Sequence, residues 1–176
     1  MGRIQLVYHS ESGFTERCAE WLAEDLDVNC VRFDKSMSVE AREPGDVLVI
    51  GAPVHGGKMA RSRDIERLVG RAGRARAVCF ATGAAEPADG LAERLARASF
   101  RNPERIAMRY LPGGFDEERL GQGSRALIKA LRLMLAHRRD LTAEQQLLLE
   151  RTAARADFTS RELVRELAGE IRGMSA

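Results

Sequence analysis

Short apolar runs alternate along the chain with longer stretches whose apolar residues recur every three or four positions. The runs are bounded by turn residues and predict five strands. The longer stretches have helical periodicity, and this order of elements predicts a parallel sheet covered on both faces by helices. The segment between the second and third strands leaves room only for a short helix before Pro44 and Gly45. The predicted strands are Ile4 to Tyr8, Val28 to Phe33, Val47 to Gly51, Ala77 to Thr82 and Arg105 to Leu111, and the helices between them are Thr15 to Leu26, Ser62 to Arg71 and Gly90 to Ala98.

Length and composition indicate a single domain, residues 1–176. The chain has 176 residues, of which 44% are apolar, enough for one substantial core. It contains neither a run of about 18 apolar residues nor a secretory signal, so we expect a cytoplasmic protein. A net charge of +2 is too small to indicate a nucleic-acid partner. Cys18, Cys30 and Cys79 are widely spaced and are predicted to be reduced, buried thiols, so we expect no metal site.

Hydroxyl side chains and a glycine cluster in the stretch "HSESGFTE", residues 9–16, between the first strand and the first helix. Free N–H groups at a helix N-terminus bind anions, and Ser10, Ser12 and Thr15 add hydroxyl donors. Gly13 allows close approach of the backbone. The stretch therefore predicts a phosphate cradle that contains no cation. An ordinary helix start with Ser12 as the N-cap explains the same residues equally well.

A second motif, "GDVLVIGAPVHGGK", occupies residues 45–58. It resembles the acidic residue, apolar strand and Gly-x-Pro-apolar-x-x-Gly of flavodoxin-like proteins, and Ser10-x-Ser12-Gly13-x-Thr15 resembles their phosphate loop. The chain is therefore similar to the flavodoxin-like FMN-binding superfamily. The resemblance implies an α/β, doubly wound five-stranded parallel sheet with strand order 2-1-3-4-5 and FMN at the switch point between strands one and three.

The same resemblance implies which residues hold FMN. Hydroxyl and N–H groups of the first motif would hold the phosphate, and two further loops would flank the isoalloxazine. Glycines near flavin N5 would let a peptide reorient as the redox state changes, although Gly56 and Gly57 are also consistent with a simple flexible turn. The phosphate residues are Ser10, Ser12, Gly13, Phe14 and Thr15, and the flanking residues are Pro53, Val54, His55, Gly56 and Gly57 in one loop and Thr82, Gly83 and Ala84 in the other, which runs to Gly90.

Two features separate the chain from electron-carrier flavodoxins. The two flavin loops contain no Trp, Tyr or Phe, so the stacking ring that is common in those carriers is missing, and His55 is the only ring available there. His55 is the one catalytic candidate, for flavin contact or proton transfer, and a solvated loop histidine is equally consistent. Carrier flavodoxins are acidic, which suits basic redox partners, whereas this chain has a pI near 8.6.

A basic helical insertion is predicted after the fifth strand, at about residues 117–155. Its stretch Ser124 to Arg139 has five Arg or Lys residues and no Asp or Glu. Such a helix packs on the core, or it contacts an anionic membrane surface or a partner, and Leu133 would suit a second subunit. The predicted apolar face contains Leu127, Ile128, Leu131, Met134 and Leu135, the other face contains Arg125, Lys129 and Arg132, and two more helices are predicted at Thr142 to Ala154 and Ser160 to Arg172.

Within the superfamily, the chain resembles the branch that contains the menaquinone-dependent protoporphyrinogen IX dehydrogenases. The similarity covers "LVYHSESGFTERCAEWLAEDL", the second motif and the residues after it, the basic insertion and "ADFTSRELVRELAGEIR". It implies an FMN-dependent oxidoreductase of haem biosynthesis that passes hydrogen from an apolar porphyrinogen to a quinone, with the insertion near the flavin and the inner face of the membrane. The alternatives are a flavodoxin-type electron-transfer protein with a redox partner, an NAD(P)H-dependent quinone reductase and a flavin-free scaffold.

Overall fold

A six-stranded sheet forms the centre of the structure, a computed structural model that describes residues 2–176. Its strands are β1 (Ile4–Tyr8), β2 (Cys30–Arg32), β3 (Val47–His55), β4 (Lys58–Met59), β5 (Arg76–Gly83) and β6 (Ile106–Pro112). Five of them are parallel, in the order β2-β1-β3-β5-β6, and β4 pairs antiparallel with β3. When the five parallel strands are numbered without β4, this order becomes 2-1-3-4-5, which is the predicted one. The doubly wound fold class is therefore confirmed.

Helices cover both faces of the sheet, as predicted. The helices are α1 (Phe14–Leu26), α2 (Ser62–Arg71), α3 (Leu91–Ser99), α4 (Gln122–Ala136), α5 (Ala143–Arg151) and α6 (Arg161–Ser175). On one face, α1 and α6 pack with Leu22 and Ile171 against the strands, and on the other, α2 and α3 pack with Leu68 and Leu95. The strands are apolar on both sides because a parallel sheet of this kind is buried on both sides.

The second crossover contains no helix, so the short helix that the sequence left room for is not formed. Residues 33–46 follow an irregular path between β2 and β3. The side-chain amide of Gln5 binds this path: its Nε2 donates to the carbonyl of Ser38 at 2.9 Å, and its Oε1 accepts from the N–H of Glu40 at 2.7 Å. It also accepts from the N–H of Ala41 at 3.2 Å. One strand side chain thus satisfies backbone groups that a helix would have paired with each other.

Strand β3 continues beyond its predicted end and turns back as a hairpin. It runs to His55, which pairs with Lys58 of β4 across Gly56 and Gly57. These two glycines have φ values of +56° and +77°. Positive φ at both central residues is the geometry of type I′ turns, which is why glycine is favoured there. The sequence did not predict β4 because a two-residue strand has no detectable alternation of apolar and polar residues.

The insertion spans residues 116–155 and lies between two very short strands, β7 (Gly114–Phe115) and β8 (Ala156–Asp157). These strands pair antiparallel and form a ribbon, separate from the central sheet. Within the insertion, a 3-10 turn (Glu117–Arg119) leads to α4 and α5. Helix α6 follows the ribbon and closes one face of the sheet. None of the helices in residues 2–176 is both long and apolar enough to cross a membrane.

Helix α4 packs on the rest of the protein along one side only. Of its five apolar residues predicted to share a face, Leu135 is buried and Ile128 and Leu131 are half-buried, whereas Leu127 and Met134 are 47% and 56% exposed. Arg132 is also half-buried, with Nη1 2.9 Å from a carboxylate oxygen of Glu117. Core packing therefore holds for part of the predicted apolar face, and Leu127 and Met134 lie outside the core.

The three cysteines form no disulfide within the described residues. Cys18 and Cys79 are buried in the two faces of the core, and Cys30 is half-buried. Burial raises the pKa of Cys18 to about 12, so its thiol stays protonated and unreactive at neutral pH. The prediction of reduced thiols is confirmed, and that of full burial holds for two of the three.

Candidate functional site

Three loops meet at the carboxyl edge of the sheet: the loop after β1, the β3–β4 hairpin and the segment after β5. The hydroxyl oxygens of Thr15 and Thr82 lie 2.7 Å apart, which joins the start of α1 to the end of β5. A Cβ atom at Gly83 would lie 3.5 Å from the Cβ of Val54, so the ends of β5 and β3 are packed together. The structure therefore brings the three sequence-predicted segments to one edge, where parallel sheets bind ligands.

The backbone at the start of α1 is arranged to bind an anion. Gly13 has a φ of +91° and is the N-cap residue, with no side chain capping the helix. Its N–H donates to Oγ of Ser10 at 3.1 Å. The interpretation of this stretch as a helix start capped by Ser12 is therefore wrong. The N–H groups of residues 14–16 have no acceptor among residues 2–176 and remain available at the positive end of the helix dipole.

The hydroxyls of the first loop differ in what they can reach. Ser10 is buried, and its Oγ accepts the N–H of Gly13, while its own hydroxyl hydrogen has no acceptor within the described part of the chain. Thr15 is 1% exposed and shares a hydrogen bond with Thr82. Ser12 is half-buried, and its hydroxyl has no hydrogen-bond partner among residues 2–176. Ser12 is thus the most accessible hydroxyl donor for a bound phosphate, and the hydrogen bonds of Ser10 and Thr15 also fix the shape of the loop.

The ring of Phe14 points away from the loop and into the protein. A Cβ atom at Gly114 would lie 2.5 Å from two carbons of this ring. The ring therefore fills the space left by the missing side chain of Gly114 in β7. Phe14 is buried and contributes only its N–H to the loop. The contact also anchors the ribbon to α1.

Glu11 links the first loop to the hairpin and to the insertion. Its carboxylate oxygens lie 3.7 Å from Nε2 of His9 and 3.6 Å from Nε2 of His55. Ser124, in the first turn of α4, donates its hydroxyl to Glu11 at 2.8 Å. The carboxylate is therefore held by three polar side chains on one side of the loop. His55 lies at the end of β3 against this carboxylate, so the structure does not place it as a solvated loop side chain.

Burial of His9, reinforced by the positive charge of Arg61, lowers the pKa of this imidazole below 6.5. The unfolded chain binds a proton at a higher pH than the folded protein does. We therefore expect the free energy of unfolding to fall as the pH is lowered through about 6.5. An NMR titration should place the midpoint of the His9 ring signal, assigned with the His9→Gln variant, below that of free histidine. A midpoint at or above 6.5 would contradict the buried position.

The hairpin side of the site is bordered by α4. Gly56 and Gly57 are exposed, and residues 53–55 are half-buried. A Cβ atom at Gly56 would lie 4.0 Å from Cδ2 of Leu127. The insertion therefore contributes an apolar side chain beside the loop that the resemblance assigns to the flavin ring.

The third loop, residues 82–90, is anchored by an aromatic residue outside it. Tyr110 in β6 donates its hydroxyl to the carbonyl of Ala85 at 2.8 Å. Burial raises the pKa of Tyr110 above its usual range, so the phenol remains a donor. Gly83 and Ala84 are half-buried above it. Tyr110 thus supports the third loop from the neighbouring strand β6.

Two arginines bring positive charge to the first loop, which the sequence predicts to lack a cation. A Cβ atom at Gly13 would lie 3.3 Å from Nη1 of Arg119, which belongs to the 3-10 turn of the insertion. Nη2 of Arg32 donates to the carbonyl of Ser10 at 3.0 Å. Both arginines are distant from the loop in sequence and lie in no recognisable motif. Their roles, like that of Ser124, could not be deduced from the sequence pattern.

The first loop fits the phosphate monoester of FMN. It offers the unpaired N–H groups of residues 14–16, the hydroxyl of Ser12 and the guanidinium of Arg119. Gly13 places no side chain between an anion and these donors. The arrangement can hold a phosphate at the first loop while the hairpin and the third loop lie beside it at the same edge of the sheet.

One family model and several solved structures are similar to the chain. A family model described as the flavodoxin domain matches residues 5–142. Similar solved structures include a protein described as a flavoprotein from Bacteroides uniformis ATCC 8492, with 17% identity, a TM-score of 0.47, and coverage of 73% of this chain and 98% of that one. A flavodoxin from the domain Archaea has 17% identity, a TM-score of 0.44 and coverage of 98% and 99%. The rubredoxin:oxygen oxidoreductase of Desulfovibrio gigas has 12% identity, a TM-score of 0.40 and coverage of 100% and 37%. No curated protein sequence matches the chain.

Proposed function

This chain belongs to the flavodoxin domain family, with FMN as its cofactor, and from that premise we propose that it is an oxidoreductase acting on an apolar small molecule. FMN supplies the exchange of one or two electrons when it is bound. The protein's own groups bind and orient it: the N–H groups of residues 14–16 and Ser12 hold the phosphate, and Gly56, Gly57, Gly83 and Ala84 border the ring.

The observation that carries the proposal is the exposed apolar side of α4 beside the hairpin. Leu127 lies 4.0 Å from the Cβ position of Gly56 and is about half exposed, as is Met134 about two helical turns further along. A contiguous apolar surface, unlike a single exposed side chain, often marks a binding site, and Leu127 and Met134 share one side of α4. An apolar surface next to the cofactor loops suits binding of an apolar reactant. An electron carrier would instead present an acidic surface there for docking on a basic partner.

Protoporphyrinogen IX as donor and a quinone as acceptor are the specific reactants that we propose, on the resemblance given above. In each turn of the reaction the porphyrinogen would lose two electrons and two protons, and the quinone would gain them and become a quinol. Both molecules have large apolar surfaces, which the outer side of α4 can cover. Haem biosynthesis would then be the context of the protein.

Contact with a membrane surface through Ser124 to Arg139 stays a prediction. Its basis in the structure is that Leu133 and Met134 are exposed, next to the exposed cations Arg138 and Arg139 at the end of α4. Arg132 does not take part, because it is paired with Glu117 inside the insertion.

The proposal is tested by recording the absorption spectrum of the purified protein before and after incubation with FMN and desalting. The loaded protein is then mixed with protoporphyrinogen, with a quinone after chemical reduction, and with NAD(P)H. We expect reduction by the porphyrinogen and reoxidation by the quinone. Failure of both half-reactions would contradict the proposed activity, and reduction by NAD(P)H alone would indicate a quinone reductase.

The role of α4 is tested with the variant Leu127→Ser combined with Met134→Ser. We expect a higher KM for the quinone, about tenfold, with unchanged FMN binding. An apolar side chain contributes about 1.5–3 kcal/mol when a ligand covers it fully, and less when the ligand covers it in part. The matched control is Val31→Ser in β2, where the side chain is 52% exposed and distant from the loops. Equal effects of the two variants would exclude a specific role for the outer side of α4.

A further inference from the structure

We propose that Arg119 binds the phosphate of FMN directly, so that the insertion completes the cofactor site. The inference rests on the FMN site described above and assigns a ligand that lies outside both sequence motifs. Arg119 belongs to the 3-10 turn Glu117–Arg119, which opens the insertion immediately after β7. A Cβ atom at Gly13 would lie 3.3 Å from its Nη1, so the guanidinium lies at the residue that begins α1.

The first loop requires a cation for a doubly charged ligand. A phosphate monoester carries a charge of about −1.5 to −2 at pH 7. The N–H groups of residues 14–16 and the Ser12 hydroxyl are neutral donors, and the loop itself carries the carboxylates of Glu11 and Glu16. Glu16 accepts the hydroxyl of Tyr8 at 2.5 Å but keeps its charge close to the helix start. A positive group beside Gly13 offsets this repulsion where an anion would bind.

Other arginines near the loop are already engaged. Arg17 forms an ion pair with Asp157 of β8. Arg32 donates to the carbonyl of Ser10, behind the loop. Arg119 differs because its carboxylate partner contacts the opposite edge of the guanidinium: Nε lies 3.5 Å from Oδ2 of Asp116, while Nη1 lies at the loop. The Nη1 edge thus remains available to a ligand.

Asp116 holds Arg119 in this position. The side chain of Asp116 is only 4% exposed, and its Oδ1 accepts the N–H of Glu118 at 3.1 Å. Oδ2 also lies 3.3 Å from Nε of Arg155 at the far end of the insertion. A buried carboxylate that is fixed by the backbone N–H of Glu118 can orient the Nε end of Arg119 without help from Arg155. The Arg119 side chain is 59% exposed, so Asp116 restrains its Nε end while the Nη1 end stays open to a ligand.

The experiment compares FMN with riboflavin, which has the same ring system without the phosphate. Affinities are measured by quenching of flavin fluorescence for the wild type, Arg119→Ala and Arg155→Ala. We expect Arg119→Ala to weaken FMN binding by about ten- to a hundredfold and to leave riboflavin binding unchanged within about twofold. Arg155→Ala removes the other arginine on Asp116 and is expected to change neither affinity. In the wild type, FMN binding should weaken with added salt, and less so in Arg119→Ala.

The outcomes separate this inference from the function on which it rests. Equal losses for FMN and riboflavin in Arg119→Ala would assign Arg119 a structural role, and no loss would exclude a contact with phosphate; both overturn the inference alone. A wild-type chain that binds neither flavin would overturn the proposed function as well. Circular dichroism of each variant shows whether the fold is retained, and Arg119→Lys, which keeps the charge, is expected to recover part of the FMN affinity.

Discussion

Replacing Phe80 with alanine is expected to lower the free energy of unfolding by about 3–5 kcal/mol. Phe80 lies in β5, is completely buried, and packs among the side chains of α1 and α6. Directly opposite it in the parallel ladder is Gly51 of β3. A Cβ atom at Gly51 would lie 2.1 Å from Cζ of the ring, so the ring occupies the space above the glycine. Urea unfolding followed by circular dichroism measures the loss.

A double-mutant cycle tests this interpretation of the pair. Gly51→Ala alone should destabilise the protein by about 1–3 kcal/mol, because the added methyl group overlaps the ring. In the Phe80→Ala background the same methyl group partly fills the cavity, and its effect should shrink or change sign. Additive effects would show that the ring and the glycine do not depend on each other. Gly70→Ala in α2, where no atom lies within 4 Å of the added carbon, is the control.

Replacing Gly13 with valine is expected to weaken FMN binding at least about a hundredfold. A β-branched residue at a φ of +91° costs about 1–3 kcal/mol, and a shift of this peptide would also move the N–H groups that face the phosphate. The added side chain would in addition meet Nη1 of Arg119 at 3.3 Å. Flavin titration by fluorescence measures the effect.

Two further substitutions test whether the loss of FMN binding comes from the backbone conformation at Gly13. Gly13→Asn should bind FMN more tightly than Gly13→Val, because asparagine tolerates the left-handed conformation. Gly70→Val places the same side chain on an exposed helix position and should leave FMN binding unchanged. Equal affinities of Gly13→Val and the wild type would show that the phosphate lies elsewhere.

The sheet and its first loop could be predicted from the sequence because their signals are local. The strands inside the sheet are largely buried and appear as apolar runs, and the predicted bounds of β1, Ile4–Tyr8, are the observed ones. The first loop has a glycine and hydroxyl residues at the end of such a run. Gly51 appeared in the sequence only as part of a family motif, and the structure supplies its physical reason in the ring of Phe80.

The rest of the site depends on contacts between distant residues. Arg119 lies in the sequence "EERL", which has no feature of a phosphate-binding motif, and only the fold brings it to Gly13. The orientation of α4 could not be read from its periodicity either. A stripe of apolar residues predicts that one side of a helix differs from the other, but it does not predict that Arg132 lies on the inner side, where it pairs with Glu117.

The ribbon formed by β7 and β8 has a consequence for how this protein can vary. Since Gly114 pairs with Asp157 and Phe115 with Ala156, the two ends of the insertion lie side by side. Residues 116–155 can therefore be replaced as a unit. A longer, shorter or unrelated segment could join the same two ends without moving a strand of the central sheet. Arg119 and the apolar side of α4 both lie within these residues, so in the roles proposed for them a single exchange would alter cofactor retention and the choice of reactant together.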